Sequence, residues 1–349
     1  MTTRFLAICD GKFGPISSKT ANGAIRFTPE RVAAVLDTQC QAKTVQDVLG
    51  YGGDIPVVHS FGDGVAAGAN ALLVGIAPSG GQLPKAWRGW IREAIQSGME
   101  IWSGLHFFIG DDPEFAELAA RHGVTIRDLR RPPADLMVST GRVRELASTV
   151  ILTVGSDCNM GKMTSQLELR AILKRRGRKV AFAGTGQTGI LIEGWGIAVD
   201  AVIADFIGGA AERLTMDAAQ GGDIVLVEGQ GSIIHPGYSG VTFGLIHGSL
   251  PHAFVLCHQP SRKTIDGNPW VPLPPLKDLV QMHEAVARPL RPAPVLAICL
   301  NTFDLPESAA RDAIKAAEDE TGLPAADPVR FGAENVADAI ERFHATRPR

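Results

Sequence analysis

The chain has 349 residues, 45% of them apolar and 20% charged, which suits a globular protein with room for two ordinary domains, each with its own core. A net charge of −3 leaves no basic footprint, and no apolar run reaches the ~18 residues that span a bilayer, so neither nucleic acid nor membrane is expected as a partner. The five cysteines are scattered without disulfide or metal-ligand spacing, and MTTRFLAICDGK is too briefly apolar for a secretory signal, so a reducing, cytoplasmic setting is expected.

Short β-branched runs alternate with helical patterns along the chain, the signature of α/β architecture with parallel sheets. FLAICDG and ALLVGIA read as strands ending in turns. PKAWRGWIREAIQSG reads as a helix stopping at Gly98, MEIWSG as the next strand, DPEFAELAARHG as a helix and VTIRDL as a strand. RRPPADL, at 130–136, breaks the pattern because proline cannot continue a helix. The domain boundary is placed beside it, giving domains over 1–140 and 141–349. The second half opens on strand TVILTVG and a helix ending at Gly177. Strands are then expected at KVAFAG, VDAVIAD, DIVLVEG, HAFVLC and PVLAICL, and the last residues read as a polar loop and a terminal helix.

VGSDCNMGKMT, 154–164, has the parts of a phosphate cradle: a buried strand, a glycine-rich turn and a helix start carrying a lysine. The candidate binding residues are Gly155, Ser156, Asp157, Asn159, Gly161, Lys162, Met163 and Thr164. An ordinary loop capped by Asp157 is the alternative. Two features depart from the usual rule. Five residues instead of four separate Gly155 from Gly161, which resembles the loop of the dethiobiotin synthetase branch of P-loop proteins. Met163 also stands where a hydroxyl normally follows lysine to ligate the Mg²⁺ of ATP. Thr164 lies about 100° further round the helix. The loop therefore reads as one for bare phosphates rather than for Mg·ATP.

Three later stretches are placed around this loop. DIVLVEGQGSIIHPGYSG ends a strand in Glu228, where P-loop proteins keep a metal ligand or a general base, although such a position also suits a capping acid. His235 follows as a candidate proton acceptor or an ordinary loop histidine. VIADFIGGAAE is read as the same device, a strand, then Asp205, then Gly208-Gly209 opening a helix. Arg262 and Lys263 in CHQPSRKTIDG can pair with a carboxylate or phosphate, or form a solvated surface pair. AFAGTGQTG adds a glycine/threonine turn. Cys158 is read as a packing residue, with a nucleophilic thiol forming an acyl-cysteine as the alternative. In the first half, GIAPSGGQLP is not GxGxxG, so no nicotinamide cofactor is expected, and Lys19 sits on the loop expected after the first strand.

The combination GIAPSGGQLP, SGLHFFIGDDP, GSDCNMGKMT, FAGTGQTGILIEGWG, DFIGGAAE and VEGQGSIIHPGYSGVTFGLIHG resembles a bacterial and archaeal family long labelled only as a domain of unknown function. That family contains the D-glutamate N-acetyltransferases, which pass the acetyl group of acetyl-CoA to D-glutamate in D-amino-acid catabolism. The resemblance implies a Rossmann-like N-terminal domain followed by a P-loop NTPase-like domain with a mostly parallel sheet. It further implies acetyl-CoA as co-substrate, its phosphates held by the loop around Gly161, Lys162 and Thr164 without a metal. A base, Glu228 or His235, with Asp205 as a further catalytic candidate, would take a proton from the amino group. Lys19, Arg262 and Lys263 would meet the substrate carboxylates. Because rigid α/β enzymes are often symmetric, a homo-oligomer is expected. The competing readings are an ATP- and Mg²⁺-dependent carboxylate-activating ligase of the dethiobiotin synthetase type and a non-catalytic nucleotide-binding regulator.

Overall fold

The structure is a computed structural model that describes residues 2–78 and 80–347. It divides into two compact units, one running through Pro132 and including Ile190–Ala201, the other comprising Pro133–Gly189 and the chain from Val202 onward.

The first unit contains β1 (Phe5–Ile8), α1 (Lys19–Phe27), β2 (Val32–Leu36), α2 (Val45–Leu49), β3 (Val57–Val58) and α3 (Phe61–Ala66). It continues with β4 (Ala71–Val74), α4 (Arg88–Gln96), β5 (Glu100–Ser103), α5 (Pro113–His122) and β6 (Ile126–Asp128). The strands form one parallel sheet in the order β3-β2-β1-β4-β5-β6. Side chains alternate across it: Phe5, Ala7 and Leu73 enter one core, which Leu191 joins, while Leu6, Ile8 and Leu72 enter the other. Burial on both faces explains why these strands read as continuous apolar runs.

This strand order reverses between β1 and β4, the switch point where Rossmann folds hold dinucleotides. In such folds an acid after the second strand binds ribose. Here Asp37, just past β2, is buried and accepts from the backbone N–H groups of Gly11, Phe13, Gln39 and Cys40 at 2.9–3.2 Å. Its carboxylate braces the loop after β1 and is not presented to a sugar. Lys19, expected on that loop, is instead the first residue of α1.

The second unit contains β7 (Thr149–Gly155), α6 (Lys162–Arg175), β8 (Val180–Ala183) and the start of α7 (Gln187–Glu193), then α8 (Ala204–Ala219), β9 (Ile224–Val227) and α9 (Ser239–Ser249). Next come β10 (Ala253–His258), β11 (Thr264–Ile265), β12 (Asn268–Pro272), α10 (Leu276–Ala287), β13 (Val295–Leu300), α11 (Glu307–Thr321), β14 (Ala325–Ala326) and α12 (Glu334–Thr346). Its parallel sheet runs β14-β13-β10-β7-β9-β8, while β11 and β12 pair as an antiparallel hairpin. The wholly buried β7 lies between β10 and β9, with Ile151 opposite both Ala253 and Leu226.

The strand expected at VDAVIAD is absent. Val199–Ala201 form a single 3₁₀ turn, and α8 begins at Ala204 with Asp205 exposed in its first turn. Helical spacing prevails because it buries Ile207, Ala210, Ala211, Leu214 and Ala218 along one face, leaving Ile203 exposed. Gly208-Gly209 is therefore a packing device rather than a ligand turn. A Cβ on Gly209 would lie 1.6 Å from the carbonyl oxygen of Met137, and one on Gly248 would lie 2.1 Å from that of Gly208.

Helix α8 also carries Glu212, a buried carboxylate that fastens residues 139–142. It accepts from the Ser139 and Thr140 hydroxyls, from the N–H groups of Thr140, Gly141 and Arg142, and from Arg142 Nε at 2.9 Å. Burial alone would raise its pKa, but the bonds from Arg142, Ser139, Gly141 and Thr140 outweigh burial and bring it from 4.5 to about 2. A depressed folded-state pKa stabilises the protein above 4.5, and the contribution disappears as pH falls toward 2. Glu212→Gln is expected to cost about 3 kcal/mol or less at neutral pH. Urea unfolding of both proteins across pH checks this: their gap should be constant above about pH 5 and narrow below it.

Candidate active site

The phosphate loop leaves the carboxyl end of β7 and enters α6. Gly155 ends the strand with no side chain, and a Cβ there would stand 3.0 Å from Nζ of Lys162. Asn159 (φ 60°) and Gly161 (φ 90°) both take left-handed backbone, which turns the chain back into the helix. Lys162 is buried, and its Nζ donates to the carbonyl oxygen of Asp157 at 2.7 Å, across the hollow of the loop. Burial lowers the Lys162 pKa, opposed by the acidic groups Cys158, Cys257, Asp157 and Glu228. Met163 and Thr164 are partly exposed in the first turn of α6.

Two of the loop's polar side chains serve the protein itself. Ser156 Oγ lies 2.9 Å from Nδ1 of His258. Asp157 is wholly buried: Oδ1 accepts from the N–H of Cys158, and Oδ2 accepts from Arg262 Nη1 at 2.7 Å and from the N–H of Asp266 at 2.8 Å. Arg262 donates to the Cys158 carbonyl and Gln259 as well, so it clamps the loop. Lys263 is exposed and donates to the Pro260 carbonyl.

Glu228 follows β9 directly and is buried. Its Oε2 accepts from the N–H groups of Thr185 and Gly186, at 2.9 and 3.1 Å, and Thr185 Oγ1 donates to the Glu228 carbonyl. The turns after β8 and β9 are thereby tied together. Gly189 makes room for this carboxylate, since a Cβ there would be 2.4 Å from Oε2. Glu228 is also close enough to Lys162 to act on its charge.

His235 is buried, its ring stacked at 4.5 Å on Tyr238. Nδ1 accepts from the N–H of Gly237 at 3.0 Å, so in the neutral ring the proton resides on Nε2 and His235 is a hydrogen-bond donor. Donor atoms of Asp157, Cys158 and His235 lie within 4.8 Å of one another. That trio does not fit a metal. The Asp157 oxygens already accept three N–H groups, and a metal-bound imidazole donates from its second nitrogen, where His235 instead accepts.

The structure thus gathers Gly155, Ser156, Asp157, Asn159, Gly161, Lys162, Met163, Thr164, Glu228, His235 and Arg262 at one edge of the second sheet. Asp205 lies in the first turn of α8, so it is not the strand-end acid expected. Lys19 belongs to the first unit. His258 was not foreseen, although it directly follows the expected strand HAFVLC and is the last residue of β10. Burial, with Lys263 and Arg262 nearby, lowers its pKa to about 4, which keeps it neutral.

Residues 137–337 match a family described as a domain of unknown function, DUF1611, P-loop domain, and residues 38–132 match its Rossmann-like N-terminal domain. The chain belongs to this family. It is similar to a D-glutamate N-acetyltransferase of Tritonibacter scottomollicae, with 40% identity covering 79% of this chain and 82% of that one. A D-glutamate N-acetyltransferase of a Pseudoalteromonas species is 38% identical over 77% of this chain and 80% of its own. The crystal structure of a DUF1611 family protein from Anabaena variabilis superposes with a TM-score of 0.92 and 38% identity, covering 97% of this chain and 100% of that one. At this similarity to curated relatives, the chain is an enzyme of the acyltransferase class.

Two glycines near the site separate a required backbone approach from an incidental one. A Cβ on Gly229 would lie 1.7 Å from the carbonyl oxygen of Thr153, whereas Gly240, in the first turn of α9, has nothing within 4 Å. Gly229→Ala should destabilise the protein by roughly 3 kcal/mol, the scale of overpacking. Gly240→Ala should be neutral or stabilise it by about 0.5 kcal/mol. Equilibrium denaturation of the two variants checks both signs.

Proposed function

We propose that this family member moves the acetyl group of acetyl-CoA to the amino group of D-glutamate, with the phosphate loop holding the phosphates of coenzyme A. The observation that carries the donor assignment is Met163 in the first turn of a loop that keeps its lysine. A nucleotide whose phosphates are bound but not cleaved needs positive charge and N–H donors, and not the hydroxyl that positions Mg²⁺ for ATP chemistry. Lys162, the loop amides and Thr164 supply that set. The acceptor assignment follows the names of the two similar bacterial enzymes.

The amino group of glutamate is an ammonium at neutral pH and must lose a proton before it attacks. Glu228 is the better base of the two candidates. Its Oε2 accepts from two N–H groups, which fix the carboxylate in place at the end of β9. His235, with Nδ1 already accepting, suits the opposite task of donating to the carbonyl oxygen as charge develops on it. Arg262 is committed to Asp157, so it shapes the site and does not grip a substrate carboxylate. Lys263, exposed on the loop after β10, is the candidate for that contact. The setting proposed is D-amino-acid catabolism in the cytoplasm, by a homo-oligomer.

The test is thiol release from acetyl-CoA on addition of D-glutamate, without ATP or Mg²⁺ and with L-glutamate as control. Release that requires D-glutamate is the expected result; no release here, with phosphate release in a parallel assay supplied with Mg·ATP, would favour the ligase. Lys162→Ala is expected to raise the KM for acetyl-CoA about tenfold or more, the loss of a charge-assisted phosphate contact. Glu228→Gln is expected to lower kcat about a hundredfold or more while leaving acetyl-CoA binding in place.

A further inference from the structure

The loop after β13 carries an exposed ring that the phosphate loop does not account for. Phe303 is 57% exposed, whereas Phe182 and Phe254 in the same unit are wholly buried and Phe331 lies against the guanidinium groups of Arg311 and Arg330. The ring is held out by a loop fastened at each residue from 301 to 305. The Asn301 N–H donates to the His258 carbonyl at 2.8 Å, and Thr302 donates to Asp327 Oδ2 through both its N–H and its hydroxyl. The Phe303 N–H donates to Asn301 Oδ1 at 3.4 Å. Asp304 Oδ2 accepts from Gln259 and Ser261, and Arg330 Nη1 donates to the Thr302 and Leu305 carbonyls.

Some of these bonds continue to the phosphate loop. Gln259 joins Asp304 to Arg262, which clamps Asp157. The His258 ring meets Ser156 while its carbonyl holds Asn301. In sheet order β13 is two strands from β7, roughly 10 Å along the carboxyl edge where parallel sheets take their ligands. Asn301 adds a polar handle: its Oδ1 is the acceptor for Phe303, and its Nδ2 donates to none of the described residues. Val329, 48% exposed, stands on the loop after β14, which Asp327 and Arg330 fasten to Thr302. A flat apolar face and an amide donor, braced against a phosphate loop, are the parts of a site for a purine base.

We propose that the loop after β13 is the base subsite of this unit, with the adenine ring of coenzyme A stacked on Phe303 and a ring nitrogen of the adenine accepting from Asn301 Nδ2. The assignment to coenzyme A rests on the acetyltransferase reading above. What the loop recognises is an adenine base on a phosphate chain, and ATP presents the same group. Adenine lies at the opposite end of coenzyme A from the thioester, so Phe303 acts on donor affinity and not on the chemical step.

The experiment compares two acetyl donors by thiol release in the presence of D-glutamate. One is acetyl-CoA; the other is S-acetyl-4′-phosphopantetheine, which keeps the thioester and one phosphate but has no adenosine. Phe303→Ala should raise the KM for acetyl-CoA about tenfold or more with kcat unchanged, the loss expected of one base–aromatic stack. The variant should use the truncated donor as the wild type does, and Phe303→Trp should restore a KM for acetyl-CoA near the wild-type value. Equal losses with both donors, or an unchanged KM for acetyl-CoA, would overturn the subsite and leave the transferase reading standing. If the wild type does not turn over the truncated donor, the contrast between Phe303→Ala and Phe303→Trp decides. If the wild type transfers acetyl from neither donor, the transferase reading falls and calorimetric titration with ATP judges the subsite. ATP binding weakened about tenfold or more by Phe303→Ala would then support it. Equal binding by both proteins, or none by the wild type, would overturn it.

Discussion

The buried carboxylate of Asp157 is the constraint on which the site depends. A charge with no exposure to water has to be paired and hydrogen-bonded, because its desolvation is otherwise prohibitive. Arg262 and two backbone N–H groups meet that demand. The consequence is geometric. The loop after β7 is fastened to the loop after β10 and to the turn of the β11–β12 hairpin, 105 and 109 positions away in sequence. With the Asp157 side chain turned into the protein, its carbonyl oxygen faces Lys162 across the hollow. The clamp therefore also sets where the lysine charge waits.

A second balance follows from the first. Lys162 is buried, and burial alone favours its neutral form. Cys158, Cys257, Asp157 and Glu228 act against that pull. An anionic ligand in the loop would do the same and more strongly, so on the proposed reading coenzyme A phosphates and the lysine charge stabilise one another. Glu228 is fixed in turn by Thr185 and Gly186, and Gly189 clears the space its carboxylate fills. The glycine/threonine turn after β8 thus acts on the site by holding an acid in position.

Much of this was legible in the sequence, and the remainder had physical reasons to be hidden. Buried parallel strands leave uninterrupted apolar runs, so β1, β4, β7, β9, β10 and β13 could be read directly, as could the loop before Lys162 and the acid after β9. VDAVIAD misled because a short apolar run cannot distinguish a strand from the approach to a helix; the wider spacing of Ile207, Ala210, Ala211 and Leu214 decides it. The pairing of Asp157 with Arg262 spans 105 positions, and nothing local announces it. The same holds for Cys158 and His235, whose proximity is a product of strand order. His235 could be singled out by type, but its role as a donor depends on one backbone N–H, that of Gly237.

The first unit makes the complementary argument. Its strand order is the one that elsewhere builds a dinucleotide crevice, yet Asp37 accepts from four N–H groups of its own loops. An acid so engaged cannot also bind a ribose, and GIAPSGGQLP lacks the glycine spacing that lets a pyrophosphate approach the backbone. Both departures set the first unit apart from the pattern by which this fold usually holds a dinucleotide. The second unit departs from its own archetype differently. It keeps the lysine and the turn of the phosphate loop, and a methionine stands where the metal-binding hydroxyl would be. A fold supplies positions, and the chemistry is decided by which lone pairs and N–H groups remain uncommitted at those positions. Here Asp157 and Arg262 are spent on each other, and Lys162, Glu228 and His235 are the groups on which the proposed acyl transfer draws.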